Sequence, residues 1–326
     1  MPASSRSFGT ATARRSICFS CCAASPSAAS LPGASTVRTE VDCKMPPILQ
    51  QRLGRSAQYG MLLIVLVMLA FPIYYMVITS LKPPGEAYRL PPTLWPLNPT
   101  VDGYPFVMRA WNYFRTLLNT VLVAGGAAAG ATLLGGLAAY GFSRMTFLGK
   151  SALYSALVAT VAIPGMVTLG PVFIAYNELG LLDTHIGLIL IFMSDGIPFA
   201  FLTLFAYFRS IPRELDEAAW IDGAGLFSTL FRIIFPIAMP AFAVTFLLLF
   251  IAGWNEFLYA FTLTVTPETR LLTVRLFEIP VRADANTTPY DLIAAGGVLI
   301  LLPLIPLLVR VQKQLVQGIL AGAVKG

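Results

Sequence analysis

Six apolar runs, each with few or no charges, punctuate this 326-residue sequence. They fall at about 58 to 80, 116 to 142, 151 to 175, 186 to 208, 237 to 263 and 290 to 311, with boundaries good to a few residues. Crossing about 30 Å of hydrocarbon at 1.5 Å per residue takes roughly 20 residues. Each run supplies enough length. The runs are continuous, whereas lipid-facing barrel strands alternate apolar and polar residues, so the expected fold is an all-α membrane protein with six transmembrane helices.

Composition excludes the alternatives. Only 12% of residues are charged and 56% are hydrophobic, against about 25% charged in a soluble globular domain. Too little polar surface is left for a water-facing shell. The net charge of +6 does not point to nucleic acid, because the Lys and Arg residues are scattered between apolar runs instead of forming a stripe. Cys18, Cys21, Cys22 and Cys43 all precede the first run, so no disulfide framework staples the bundle. No His accompanies the Cys18 to Cys22 cluster, and His185, in a short loop, reads as solvated, so no metal site is expected.

Residues 1 to 44 are rich in Ser, Ala and Arg without helical period and read as a disordered extension. Translation is expected to start at Met45, followed by a short lead to residue 57 containing Arg52 and Arg55; a purified protein with an intact Met1 would refute this. The stretch 81 to 115 is rich in Pro and aromatics and suits an ordered loop outside the membrane. With the N-terminus inside, the inner segments carry Arg52, Arg55, Arg144, Lys150, Arg209, Arg213, Arg232, Arg310, Lys313 and Lys325, and the outer ones Lys82, Arg89, Arg109, Arg115, Arg270, Arg275 and Arg282. The excess is modest, and it places both termini in the cytoplasm. Gly125, Gly126, Gly130, Gly135, Gly136 and Gly141 give the second run a face with almost no side-chain bulk. That face permits close backbone approach, to another helix of the chain or to another subunit. Prolines 72, 164, 171, 198, 240, 303 and 306 imply kinks or helix ends at membrane depth.

The loop between the fourth and fifth runs, 209 to 236, carries the clearest functional signal. Ser210 suits an N-cap and Pro212 a first turn, while Glu214, Asp216 and Glu217 complement the positive end of a helix. A short helix outside the membrane is expected. Ala218 and Ala219 give it a thin face that fits a groove in another protein, Gly223 supplies the positive φ that ends it, and Pro236 suits the start of the fifth span.

At these residues the sequence resembles a known family. Glu217-Ala218-Ala219, three residues, Gly223, nine residues, Ile233, one residue, then Phe235-Pro236 is similar to the EAA loop of permease subunits in bacterial binding-protein-dependent ABC importers. The family usually has Leu where this chain has Phe235, a swap that stays apolar. Trp254-Asn255-Glu256-Phe257 and the tail 312 to 326, with Gln317, Gly318 and Gly322, resemble the six-span subunit of the carbohydrate-uptake branch. The similarity runs from about residue 58 to the C-terminus. It implies the type I ABC importer permease fold, with Glu217, Ala218, Ala219, Asp222, Gly223, Ile233 and Pro236 in a coupling helix that docks into a cytoplasmic ATPase subunit. The tail would reach toward the ATPase dimer.

The implied assembly contains a second homologous permease subunit, two ATPase subunits and an extracytoplasmic substrate-binding protein. The chain lacks the Gly-rich phosphate-cradling loop of nucleotide-binding proteins, so it is expected to bind no cofactor and to leave Mg-ATP to its partners. Asp195, in mid-run, is the most expensive residue in the membrane region, since a carboxylate at the bilayer centre costs about 2.5 to 3.5 kcal/mol on insertion scales. It lines the substrate pathway or contacts the partner permease, or it is neutralised at a break near Gly196 and Pro198. Asn255 and Glu256 sit nearer an interface, where a helix-end or subunit-contact role competes with the pathway. Sugars, or polyols such as glycerol phosphate, are the implied cargo. An ion-coupled secondary transporter is the rival class, and it would show broken helices with ionisable residues in two related halves.

Overall fold

The computed structural model describes residues 47 to 279 and 289 to 310, with side chains from residue 58 onward. Expectations for residues 1 to 44 and 312 to 326, Gln317, Gly318 and Gly322 included, lie outside the described residues. By contacts the chain divides into Met1–Met61 and Leu62–Gly326, and the second unit holds the helical bundle. Its helices are α1 (Pro47–Ser80, begun in the first unit), α2 (Gly103–Ala110), α3 (Tyr113–Arg144), α4 (Lys150–Val161), α5 (Gly165–Glu178), α6 (His185–Ser210), α7 (Glu214–Ile221), α8 (Leu226–Thr229), α9 (Phe235–Asn255), α10 (Leu258–Leu263), α11 (Leu272–Phe277) and α12 (Tyr290–Leu301).

Among the described residues five stretches are long and apolar enough to cross a membrane, and a bent pair makes a sixth. The expected third span departs from a rod. It is α4 and α5, set 97° apart across residues 162 to 164. Pro164, at ψ 132°, has no amide to continue the helix, and its ring disfavours helical backbone at Ile163. The fifth span is also displaced. It runs from Leu226 through a π-helical turn, Leu230–Ile234, to Asn255. Pro236 therefore sits within a continuing helix, not at its start. At the far end the chain breaks after Asn255, and α10 begins anew with the Tyr259 amide on Glu256 Oε1 at 3.0 Å.

The glycine face of α3 packs inside the chain. A Cβ on Gly126 would lie 3.3 Å from Ile189, one on Gly135 2.6 Å from Ala200 and 2.9 Å from the Phe201 backbone nitrogen, and one on Gly136 2.6 Å from Phe242. Missing bulk thus brings α3 against both α6 and α9. Dispersion at such short range is what joins helices in lipid. Three buried clusters result, one around Trp111, Trp254 and Leu292, one around Tyr140, Phe201, Phe208 and Ile234, and one around Leu188, Tyr259 and Leu271. By contrast, every residue from Leu62 to Tyr74 of α1 is exposed.

Hydrogen bonds define the two ends of the bundle. At one end Asn119 Nδ2 donates to the carbonyls of Glu268 (2.7 Å) and Arg270 (3.2 Å), and Asp183 receives the amides of Val265 and Thr266. The proline-rich loop after α1 is ordered: buried Lys82 donates to Thr93 O at 2.8 Å, and buried Glu86 accepts from the Leu97 amide at 3.0 Å. His185, expected to be solvated, opens α6 with Nε2 enclosed. The opposite end holds the C-termini of α3 and α6 together with α7.

Candidate functional site

Helix α7 forms where the acidic stretch predicts it, but its start differs. α6 continues through Ser210, whose hydroxyl donates to Tyr207 O at 2.8 Å, and Arg213 takes the N-cap position. The end is as expected. Gly223 has φ +81°, its amide donates to Trp220 O (3.0 Å), and the Ala224 amide donates to Ala219 O (2.9 Å). This pair of bonds is a Schellman motif, which a residue with a side chain adopts only under strain.

The two alanines of the loop divide between the exposed and the buried side of α7. Ala219 is buried within this chain, whereas Glu217, Ala218, Asp222 and Gly223 are exposed. Trp220 and Ile221, the latter 86% exposed, extend that outer face with apolar surface. An exposed apolar tip flanked by carboxylates is a surface suited to a partner. Ile233 packs partly buried against the cluster around Phe208 and Ile234, inside the π-helical turn, and Pro236 is exposed.

The inward face of α7 holds what the sequence did not reveal. Asp216, 1% exposed, lies with Oδ2 2.8 Å from Arg144 Nε and accepts the Tyr140 hydroxyl on Oδ1 at 2.8 Å. Asp216 and Ala219 are three residues apart and share one helix face. That spacing, set beside the lone Arg144 at the end of α3, was the available signal.

Further along the bundle, α3, α6 and α9 line an open cavity of about 330 Å³, in which Asp195 is exposed. Asp195 and Glu256 both line it, together with the small residues Ala127, Ala128, Ala131 and Gly253. The structure thus joins two of the three pathway candidates. The Asp195 side chain makes no hydrogen bond or ion pair among the described residues, and no Lys, Arg or His lines the cavity. Asn255 lies apart, exposed, its side-chain amide folded back to Ile251 O at 2.7 Å.

Comparison with known proteins places this architecture. Residues 131 to 320 match the family described as binding-protein-dependent transport system inner membrane component. That stretch covers more than half of the sequence, including α7 and the α6 and α9 walls of the cavity. The chain belongs to this family. It is a non-catalytic, multi-pass inner-membrane permease subunit of a binding-protein-dependent ABC importer, and the family works with ATPase and binding-protein partners. The permease is 32% identical over 275 residues to the trehalose transport system permease protein SugB of Mycobacterium tuberculosis, covering 84% of this chain and 99% of that one. It is 30% identical over 271 residues to the galactooligosaccharides transport system permease protein GanQ of Bacillus subtilis, covering 82% and 94%. The crystal structure of a bacterial ABC transporter involved in importing the acidic polysaccharide alginate shares the fold, with a TM-score of 0.69 at 23% identity over 81% of this chain and 97% of that one.

Proposed function

We propose that this permease carries an uncharged sugar or oligosaccharide, released by an extracytoplasmic binding protein, through a pathway that includes the Asp195 cavity. The observation that carries this reading is the cavity's chemistry. Two carboxylates, framed by alanines, glycine and aromatic rings, offer acceptors for hydroxyl groups and no cation for an acidic group. SugB and GanQ, named for trehalose and galactooligosaccharides, support the same class. A phosphorylated polyol fits less well, because it would bring negative charge against two carboxylates with no cation beside them.

The partner is a second, homologous permease subunit, and two cytoplasmic ATPase subunits bind Mg-ATP. Helix α7, with Glu217, Ala218, Asp222 and Gly223 on its outer side, docks into one ATPase subunit; both termini lie in the cytoplasm. ATP binding and release then shift the spans between outward- and inward-open arrangements, which requires that nucleotide and sugar each favour one of them.

Uptake of a panel of radiolabelled sugars, in a strain lacking the permease and complemented with it, tests the cargo. Neutral di- or oligosaccharides are expected to accumulate, with Asp195→Asn lowering their rate. Accumulation of uronates or sugar phosphates alone would refute the assignment.

A further inference from the structure

We infer that Asp216 is the residue through which the docking helix drives α3, and that α3 carries the stroke to the cavity. This inference rests on the proposed docking of α7 to an ATPase subunit.

By covalent connection α7 belongs to α6 and α8, from which three or four residues separate it on each side. Its polar contacts, and those of its N-cap, go to α3: Asp216 meets Arg144 and Tyr140 at 2.8 Å each and Arg213 Nη2 donates to Ser143 O at 3.2 Å, while Arg144 Nη2 also donates to Ile211 O, just past the end of α6, at 3.2 Å. The Arg144 and Asp216 side chains are 4% and 2% exposed. Slippage between the helices would leave a buried charge uncompensated, and the geometry of an ion pair tolerates little sliding. An apolar contact would have no such preference for register.

Helix α3 is suited to transmit displacement. Among the five continuous membrane-length stretches, it alone contains no proline. The others are interrupted or kinkable at Pro72, Pro198, Pro236, Pro240, Pro303 and Pro306. From Tyr140 back to Ala131, on the cavity wall, is nine residues, or about 13 Å of helix. Pressure applied at α7 therefore reaches the cavity along one unbroken helix, whose Gly135 and Gly136 are backed closely by Ala200, Phe201 and Phe242. Asp216 is a positioning residue, since it touches neither nucleotide nor sugar.

The test uses the complete importer in proteoliposomes, with ATP hydrolysis and sugar uptake measured together. Asp216→Asn keeps the shape and the Tyr140 hydrogen bond but removes the charge. Hydrolysis is expected to stay within about twofold while sugar moved per ATP falls about tenfold, the ratio that a loss near 1.4 kcal/mol produces. Tyr140→Phe, which removes one hydrogen bond, is expected to lower the same ratio about threefold. The charge exchange Asp216→Arg with Arg144→Asp is expected to recover part of it. An unchanged ratio in Asp216→Asn overturns the inference, and so does a loss of assembly or of hydrolysis in both single variants, which marks a merely structural role. In parallel, Ala218→Cys is crosslinked to an ATPase subunit in the otherwise unaltered importer. Failure of that crosslink overturns the docking itself, and the role of Asp216 with it.

Discussion

Asp183 joins two loops that lie far apart in the sequence. Its backbone holds a positive φ of 58°, its amide donates to Leu263 O at 2.8 Å, and Oδ1 receives the amides of Val265 (2.8 Å) and Thr266 (3.0 Å) and the Thr269 hydroxyl. Burial pushes the carboxyl up, but the hydrogen bonds from Thr266 and Thr269 and from the two amides outweigh it and hold the group down at about 2. Because the folded value lies below the unfolded one, the stabilisation is fully present above about pH 4 and is lost as the pH falls through about 2. Asp183→Asn is therefore expected to melt at a lower temperature than the wild type at pH 6 in detergent. Thermal scans should show that gap narrowing once the pH drops below about 4; a gap independent of pH would contradict the role of the charge. Legibility at this scale was uneven. Gly223 and the spacing from Glu217 to Pro236 could be read because backbone conformation and local order are written in adjacent residues. Asp216 read as one more helix-end acid, because its buried partners lie 72 and 76 positions away on α3.

Helices were legible where hydropathy alone sets them and less so where contacts or breaks do. The spans that became α3 and α6 came within a few residues of their sequence bounds. The break between α4 and α5 was legible only as Pro164, since a proline predicts an interruption but not an angle of 97°. The π-helical turn ahead of Pro236 leaves no local signal of its own, so the sequence puts the start of the fifth span eleven residues later than the helix begins, at 237 instead of Leu226. The glycine face is a close-approach surface, as its lack of side-chain bulk implies, but sequence alone does not fix its partner. It packs against α6 and α9, which yields a paired prediction. Gly135→Ala forces a new carbon within 2.6 Å of Ala200 and 2.9 Å of backbone, and such overpacking typically costs about 1 to 3 kcal/mol. Gly141, on the same helix, has nothing within 4 Å of a new Cβ. In detergent melts, Gly135→Ala is expected to unfold at a clearly lower temperature and Gly141→Ala to match the wild type. Equal behaviour of the two would mean that α3 is not held at this distance.

For the molecule as a whole, the question is which end faces the cytoplasm. The contacts alone establish two ends. The Asp183 and Asn119 bonds gather residues 263 to 270 at one, and the Arg144, Arg213 and Asp216 cluster gathers α7 at the other. Between them, α3, α6 and the Leu226–Asn255 stretch are each long enough to cross the hydrocarbon. A reagent that cannot cross the membrane must therefore reach Ile221 and Val265 from opposite sides. Both are well exposed, at 86% and 69%, so neither reporter is shielded by this chain. Lys and Arg retained in the short loops at the α7 end, Lys150, Arg209 and Arg232 among them, favour that end as cytoplasmic. In a background with Cys18, Cys21, Cys22 and Cys43 replaced by Ser, and without ATPase subunits to cover α7, Val265→Cys is expected to take a membrane-impermeant maleimide in intact spheroplasts. Ile221→Cys should react only in inside-out vesicles. The reverse pattern would put the docking helix where no cytoplasmic ATPase can reach it, and labelling of both from one side would contradict the spans themselves.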